Sequence, residues 1–287
     1  MPDVLLIVSG ITLGAIYALV ALGFHLIYRT VNVLDFAQGD KVVIGGLVAL
    51  SLVQGGVPLG LAIPLILAVG AAAGVLYEYV VIRPSLPRGV DAAVVATVGA
   101  LLVLSSGHIL IWGATAERFP PVVGGSVTIG GSPIDLQNFV IWAVVAVSVA
   151  AVALFLAKAR YGKAMVAGAA DPTAAGTVGI DVRQTRVVAS AAAFSLAALA
   201  GLLIAPITLA GGVVGPALTL KGFTAAMLGG IGSTVGVVAG ALILGLVEAV
   251  LGAQIPFAYR DPAIFGILIL VLLLKPSGLF GREGRLV

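Results

Sequence analysis

Eight apolar stretches with almost no charged residues follow one another along this chain. A helix of about 20 residues crosses the hydrocarbon core of a bilayer, and unpaired backbone groups cannot be left in hydrocarbon, so we expect helices here. The stretch 222–253 is longer than one crossing needs, and the glycine-rich run 229–233 inside it favours two short crossings. The stretches are 3–28, 42–56, 57–82, 92–113, 138–157, 187–210, 222–253 and 262–280.

The composition supports the same fold class. Only 9% of the residues are charged and 61% are hydrophobic, whereas soluble domains have about 25% charged residues. We therefore predict an all-α, polytopic transmembrane helical bundle with eight or nine crossings, folded as one domain over 1–287 and surrounded by the lipid bilayer. The basic residues are scattered and not clustered, so nucleic acid is not a predicted partner.

The distribution of Lys and Arg predicts the orientation, because these residues accumulate in cytoplasmic connectors. With the connector 83–91 in the cytoplasm, twelve of the 15 basic residues lie inside and three outside. This predicts an external N-terminus and a cytoplasmic C-terminus. The inner set is Arg29, Lys41, Arg83, Arg88, Lys158, Arg160, Lys163, Arg183, Arg186, Lys275, Arg282 and Arg285, and the outer set is Arg118, Lys221 and Arg260.

Two connectors are long. The external one, 114–137, contains a Pro pair and several glycines and predicts a short extended or hairpin element. The internal one, 158–186, predicts a short helix from Arg160 to Asp171. A helix of that length is marginal alone, so it must dock either on its own bundle or on a cytoplasmic partner.

Enzyme and metal signatures are absent from the sequence. The only Lys that follows a Gly is Lys163, and Ala164 comes next, so there is no phosphate-binding P-loop. ATP, if it drives this protein, must be hydrolysed by another subunit. The chain has no Cys, and His25 and His108 have no acidic or His neighbour at helical spacing. We predict no metal site and no cofactor, and expect both histidines to pack or to bond between helices.

A polar segment interrupts the apolar stretches after the first crossing. Within ten residues it combines amide, carboxylate and ammonium side chains next to hydrocarbon. Irregular backbone at that depth is tolerated where protein or a water-filled cavity covers it. Two interpretations remain open, a pathway or gate element and a simple cytoplasmic elbow. The segment contains Asn32, Asp35, Phe36, Gln38, Gly39, Asp40 and Lys41.

Acidic residues and glycines inside the crossings are predicted to be structural. Glu78 and Glu248 are isolated, whereas a proton relay needs several aligned acids. Glycines at four-residue spacing allow helices to approach closely. The triple Gly232, Gly236 and Gly240 is the more specific signal for such packing, and the pairs Gly10/Gly14 and Gly70/Gly74 are weaker.

Taken in order, these segments resemble the permease subunits of ABC importers for branched-chain amino acids. The similar regions are Gly10 to Leu19, Asn32 to Asp40, Glu78 with Arg83 and Pro84, Phe119 and Pro120, Lys221 to Ser233, Gly245 with Glu248, and Lys275 to Gly281. The resemblance covers essentially the whole chain.

This resemblance implies a bacterial inner-membrane importer, and we hypothesise that it works by alternating access. Two cytoplasmic ATPase subunits, a second permease chain, like or homologous, and an external substrate-binding protein are the implied partners. The loop similar to the family's ATPase-coupling loop contains Arg160, Gly162, Lys163, Ala164, Met165, Asp171 and Gly179. The implied pathway or gate consists of the polar segment together with Gly230, Gly232 and Ser233.

The chain departs from the family at four positions. Gln38 and Asp40 stand where the family usually has His and Glu, and Val166 and Ala170 stand where it has charged or amide residues. The implied substrate is a small amino acid with an apolar side chain. A permease for urea or short amides is the nearest alternative, and an ion-coupled secondary transporter is a more distant one.

Overall fold

The computed structural model describes residues 2–281 except 116, 118, 122, 130, 131, 209, 212 and 213. Arg118, Arg282 and Arg285 of the orientation count lie outside the described residues. The described chain is mostly helical, and its helices are α1 Pro2–Val31, α2 Gln38–Gln54, α3 Leu59–Tyr77, α4 Arg83–Ser85, α5 Val90–Trp112, α6 Leu136–Lys158, α7 Arg160–Ala170, α8 Pro172–Thr177, α9 Val182–Thr208, α10 Gly215–Gly229, α11 Thr234–Gln254 and α12 Phe257–Leu274. A π turn, Glu78–Ile82, joins α3 to α4, and a 3₁₀ turn, Leu86–Arg88, follows α4.

Six of the described helical segments are long and apolar enough to cross a membrane. They lie at 4–31, 60–88, 90–112, 136–158, 182–208 and 234–254. The predicted helical membrane bundle is therefore confirmed in its class. The predicted hairpin is also confirmed, since β1 Ser126–Ile129 pairs antiparallel with β2 Ser132–Asp135.

The predicted interruption near Gly230 separates two helices, α10 and α11. Gly230 has a φ of +96°, which a glycine adopts readily, and α10 ends there. The start of α2 differs from the sequence prediction, because the helix begins at Gln38 and not at residue 42. Its polar first turn is helical and buried because neighbouring helices supply partners for its side chains, which periodicity alone does not show.

Two sets of helices have the same order and equivalent packing partners. The first set is α1, α2, α3 and α5, and the second is α9, α10, α11 and α12. α1 packs along α11, while its counterpart α9 packs along α3, and α2 contacts α10. The end of α1 lies beside α7, just before the start of α9, so α1 and α9 run in opposite directions. The arrangement is an inverted repeat.

Glycines allow the close contacts between the two sets. A Cβ on Gly245 would lie 2.3 Å from the backbone nitrogen of Gly14, and a Cβ on Gly74 would lie 2.3 Å from the backbone oxygen of Ser190. Gly10 and Gly70 make similar contacts, so both weaker pairs are packing glycines. Of the predicted triple, Gly236 and Gly240 pack on α10, but a Cβ on Gly232 would meet nothing within 4 Å. Gly232 therefore lies in an open turn and is not a packing residue.

Candidate functional site

The polar segment turns back into the bundle. After α1 ends, residues 32–37 form no helix, and Gln38 then lies beside Gly23 of α1. Gly23 is about 12 Å from the end of α1 at the rise of 1.5 Å per residue. Val33, Asp35 and Ala37 are fully buried, so protein covers this irregular backbone. This buried course does not fit an exposed cytoplasmic elbow, and the pathway or gate role stays a prediction.

A buried ion pair fixes this re-entrant segment, residues 32–37, to α2 and α3. Lys41 donates a hydrogen bond to one carboxylate oxygen of Asp35, and the hydroxyl of Tyr77 donates to the other at 2.6 Å. The ammonium of Lys41 also lies 3.8 Å from the centre of the Tyr77 ring. Both charges are almost completely buried. A buried ion pair is expensive to break, because either partner alone would be an unpaired charge.

Asp40 lies on a different side of α2 from Lys41, towards α5 and α10. Its Oδ1 accepts a hydrogen bond from the Ser105 hydroxyl at 2.5 Å and lies 3.8 Å from Nε2 of His108. Its Oδ2 is buried and has no hydrogen-bond partner among the described residues. The first residue of α10, Gly215, lies against the carboxylate, and a Cβ there would be 2.2 Å from Oδ1. Asp40 thus occupies the junction of three helices.

Other predicted pathway residues contact α10, α9 and α7. The backbone nitrogen of Gly39 donates to the Thr219 hydroxyl at 2.8 Å, and the amide of Gln38 donates to the Ala193 oxygen at 3.4 Å. Phe36 packs against Phe223 of α10, with ring centres 6.1 Å apart. Asn32 adopts a φ of +54° and donates to the Ala169 oxygen of α7 at 3.2 Å.

The other predicted pathway residues lie at the far end of α10. Gly230 ends that helix, and the hydroxyl of Ser233 caps α11 by accepting from the Gly236 nitrogen at 3.1 Å. Gly232 and Ser233 line an open cavity of about 800 Å³ together with Arg29. The length of α10 therefore separates Gly39 and Asp40, at its start, from Gly230, Gly232 and Ser233 at its end. His25 joins this turn to α1 through hydrogen bonds to Ile231 and Thr234. This is the bonding between helices that we expected for the histidines.

The predicted coupling residues divide between two faces of α7. Gly162 and Met165 are buried against the bundle, and Ala164 is half-buried. A Cβ on Gly162 would lie 2.2 Å from the Phe155 oxygen of α6, so this glycine allows α7 to dock. The side chains of Arg160, Lys163 and Asp171 and the residue Gly179 are exposed, as are Tyr161, Val166 and Val178. The helix thus docks on its own bundle and leaves a mixed apolar and charged face uncovered, which we call the α7 face.

Glu78 and Glu248 each have polar partners on other helices. Glu78 is buried and bonds to Arg186 of α9 at 3.2 Å. Glu248 accepts from Lys221 at 2.6 Å and from the hydroxyl of Tyr17 at 2.8 Å. Glu78 lies one turn after Gly74, and Glu248 lies one turn after Gly245. Each acid forms a hydrogen bond to a helix of the other set. The bridge of Glu78 is near α7, and that of Glu248 is nearer the other end of the bundle.

Sequence reasoning missed the partners that complete the site. Ser105, Thr219 and Tyr77 are residues that commonly occur in apolar helices. Their partners in the polar segment are far away in sequence, at separations of 65, 180 and 42 residues respectively. No local pattern marks such residues. His108 was expected to pack or to bond between helices, and it is buried beside Asp40 of α2, with its Nδ1 unbonded among the described atoms. Within the described part of the chain, no three His, Asp or Glu residues come together to hold a metal ion.

Comparison with known proteins agrees with this architecture. Residues 6–274 match the family described as the branched-chain amino acid transport system permease component. The permease protein LivH of Salmonella typhimurium, from a high-affinity branched-chain amino acid transport system, is 31% identical over 96% of this chain and 94% of its own length. BraD of Pseudomonas aeruginosa, a permease protein of the same kind of system, is 29% identical over 96% of this chain and 95% of its own length. Because the match covers nearly the whole membrane domain, the chain belongs to the family of branched-chain amino acid transport system permease components.

Proposed function

We propose that this chain is the permease subunit of an ATP-driven importer that moves branched-chain or other small apolar amino acids across the bacterial inner membrane by alternating access. The family and the names of its relatives support this function over a urea or amide permease and over an ion-coupled carrier. The sequence contains no P-loop, which agrees with ATPases on separate subunits. The proposed partners are two cytoplasmic ATPases, a second permease chain and an external binding protein.

One contact carries the proposed mechanism. The side chain of Asn32 begins the re-entrant segment and bonds to the Ala169 oxygen of α7 at 3.2 Å. Movement of α7 by a bound ATPase would therefore act directly on residues 32–37, whose other end is the first turn of α2. The Asp35–Lys41–Tyr77 network makes this segment stiff, so displacement at Asn32 is transmitted to Asp40 and to its contact with α10. We propose that this displacement opens and closes the pathway.

The proposed topology has nine crossings, made by α1, α2, the α3–α4 segment, α5, α6, α9, α10, α11 and α12. An external N-terminus and a cytoplasmic C-terminus require an odd number of crossings, which favours nine over eight. α2 and α10 are short, with 17 and 15 residues, and each starts within the bundle where the two meet. In this topology the α7 face is cytoplasmic and the hairpin is external.

Cysteine labelling tests the orientation. Because the sequence contains no native Cys, only the introduced cysteine of this chain can be labelled. Gly124→Cys, near the hairpin, and Gly176→Cys, in α8, are exposed and have no atom within 4 Å of the added Cβ. We expect a membrane-impermeant maleimide to label Gly124→Cys in intact cells and to label Gly176→Cys only after permeabilisation. Labelling with the opposite pattern would reverse every connector and remove the α7 face from the cytoplasm.

Reconstitution tests the function itself. We expect vesicles with the complete importer to take up leucine only when ATP, the ATPases and the binding protein are all present. Vesicles with this chain alone should show no uptake above the empty-vesicle rate under a proton or sodium gradient. Gradient-driven uptake by the chain alone would identify a secondary carrier, and preference for urea over leucine by the complete system would identify the amide class.

A further inference from the structure

We propose that Asp40 binds the α-ammonium group of the transported amino acid and that the first turn of α10 binds its α-carboxylate. This inference rests on the proposed function and assigns the substrate-contacting groups of the same site. Two discontinuous helices meet inside the bundle at this point, and half-helix N-termini of this kind are where membrane transporters bind anionic groups of their substrates. Asp40 supplies the second, independent indication of a ligand.

The carboxylate of Asp40 is fully buried but only half satisfied. Ser105 fills a site on Oδ1 at 2.5 Å, while Oδ2 has no hydrogen-bond partner among the described residues. Buried carboxylates are normally paired, because an uncompensated charge in a low-dielectric interior is costly. The neighbouring cation, Lys41, is already bound to Asp35. Nε2 of His108 is 3.8 Å from Oδ1, which is within ion-pair distance but beyond hydrogen-bonding distance, and Oδ2 stays without a partner among the described residues. A substrate ammonium group would complete the pairing.

The start of α10 offers the complementary charge. No side chain caps this helix in the described structure, and Pro216 occupies its first turn. The first amide groups of a helix carry a partial positive charge and bind carboxylates. The carboxylate of Asp40 lies against this turn, since a Cβ on Gly215 would be 2.2 Å from its Oδ1 and 3.1 Å from its Oδ2. The cationic and anionic groups of an α-amino acid are separated by one carbon atom, so both can be bound at this junction.

Two glycines keep side chains out of the junction. A Cβ on Gly39 would lie 2.0 Å from the Gly215 oxygen, and one on Gly215 would collide with Asp40. On the outer surface of the same helices, Val214 just before α10, Ala217 of α10 and Ser106 of α5 are exposed. Gly215 of α10 and Ser105 of α5 both lie against the Asp40 carboxylate and help to bury it. Separation of α5 from α10 would uncover Asp40 to a pathway on that side of the chain.

Direct binding to the purified importer, with its ATPases and without the binding protein, tests the assignment. We expect Asp40→Asn to weaken binding of radiolabelled leucine by at least 30-fold and Asp40→Glu to weaken it by less than tenfold, because only the glutamate retains the charge. Ser148→Ala in α6, whose hydroxyl bonds to its own helix at Val144, is the control and should bind leucine as the unmodified importer does. Equal leucine binding by Asp40→Asn and the unmodified protein would overturn the inference.

Competition on the unmodified importer gives a second readout that does not depend on how the variants fold. Isopentylamine keeps only the ammonium group, and 4-methylpentanoate keeps only the carboxylate. Each should compete with leucine at least 30-fold more weakly than leucine itself. Competition by either analogue as strong as that by leucine would overturn the two-point site, even if Asp40→Asn fails to assemble. An unmodified importer that does not transport leucine at all would instead contradict the proposed function.

Discussion

Val166→Asp on the α7 face is expected to abolish both co-purification of the ATPase and ATP-dependent uptake. Val166 is 36% exposed on the side of α7 that points away from the bundle, between exposed Lys163 and Ala170. In the proposed complex this side chain is covered by the ATPase. An unpaired carboxylate buried there should cost about 3 kcal/mol, roughly a 100-fold loss of affinity. Pull-down of the ATPase by tagged permease and uptake by vesicles measure the two effects.

The surface substitution is more informative than removal of the segment 162–171. Met165 is fully buried against the bundle and Gly162 packs on α6, so a deletion would disturb the fold as well as the partner contact. Val127→Asp on the hairpin is the matched control, because Val127 is 44% exposed and lies at the other end of the bundle. Val127→Asp should retain the ATPase. Full ATPase binding by Val166→Asp would place the coupling contact elsewhere.

Gly245→Val is expected to prevent the stable packing of α1 against α11. The added Cβ would lie 2.3 Å from the nitrogen and 2.5 Å from the Cα of Gly14, and 2.4 Å from the oxygen of Gly10. All three atoms belong to backbone, so no side-chain rotation can relieve the overlap. We expect a loss of about 3 kcal/mol or more, or roughly a 10 °C lower melting temperature. Thermal unfolding in detergent and the yield of monodisperse protein report the effect.

Gly266→Val in α12 is the control for this substitution. It also introduces a branched side chain into an apolar helix, but a Cβ there meets no atom within 4 Å. Its melting temperature should stay within about 3 °C of the unmodified protein. Equal destabilisation by both substitutions would show that β-branching, and not the contact of α11 with Gly14, limits stability.

The sequence predicted the features that depend on local composition. Apolar length identified the membrane helices, and the glycine run identified the break between α10 and α11. The predicted start of α2, at residue 42, was wrong because charged residues such as Asp40 and Lys41 are rarely buried in a helix without partners. Their partners, Ser105 and Asp35, are known only from the structure. The partners of Glu248 could not be predicted from the sequence either. Its contact with Tyr17 spans 231 positions, and hydropathy carries no information about which face of one helix meets another.

The polar segment shows the same limit within the candidate site. Its residue types predicted a buried polar element, but turn chemistry explained Gly39 and Asp40 equally well. Only the contacts with Gly215 and Thr219 of α10 show that two short helices begin at one place. Likewise, Gly232 fits a small-residue spacing with Gly236, yet it lies in a turn, where spacing along a helix has no meaning.

Glu78 and Glu248 would respond differently to movement between the two inverted sets of helices. Each carboxylate joins the two sets, one near α7 and the other towards the opposite rim of the bundle. Separation of the sets at the first rim would take Glu78 away from its basic partner, Arg186 of α9. Separation at the opposite rim would break only the hydrogen bond from Tyr17 of α1, because Lys221 and Glu248 belong to the same set and would stay paired.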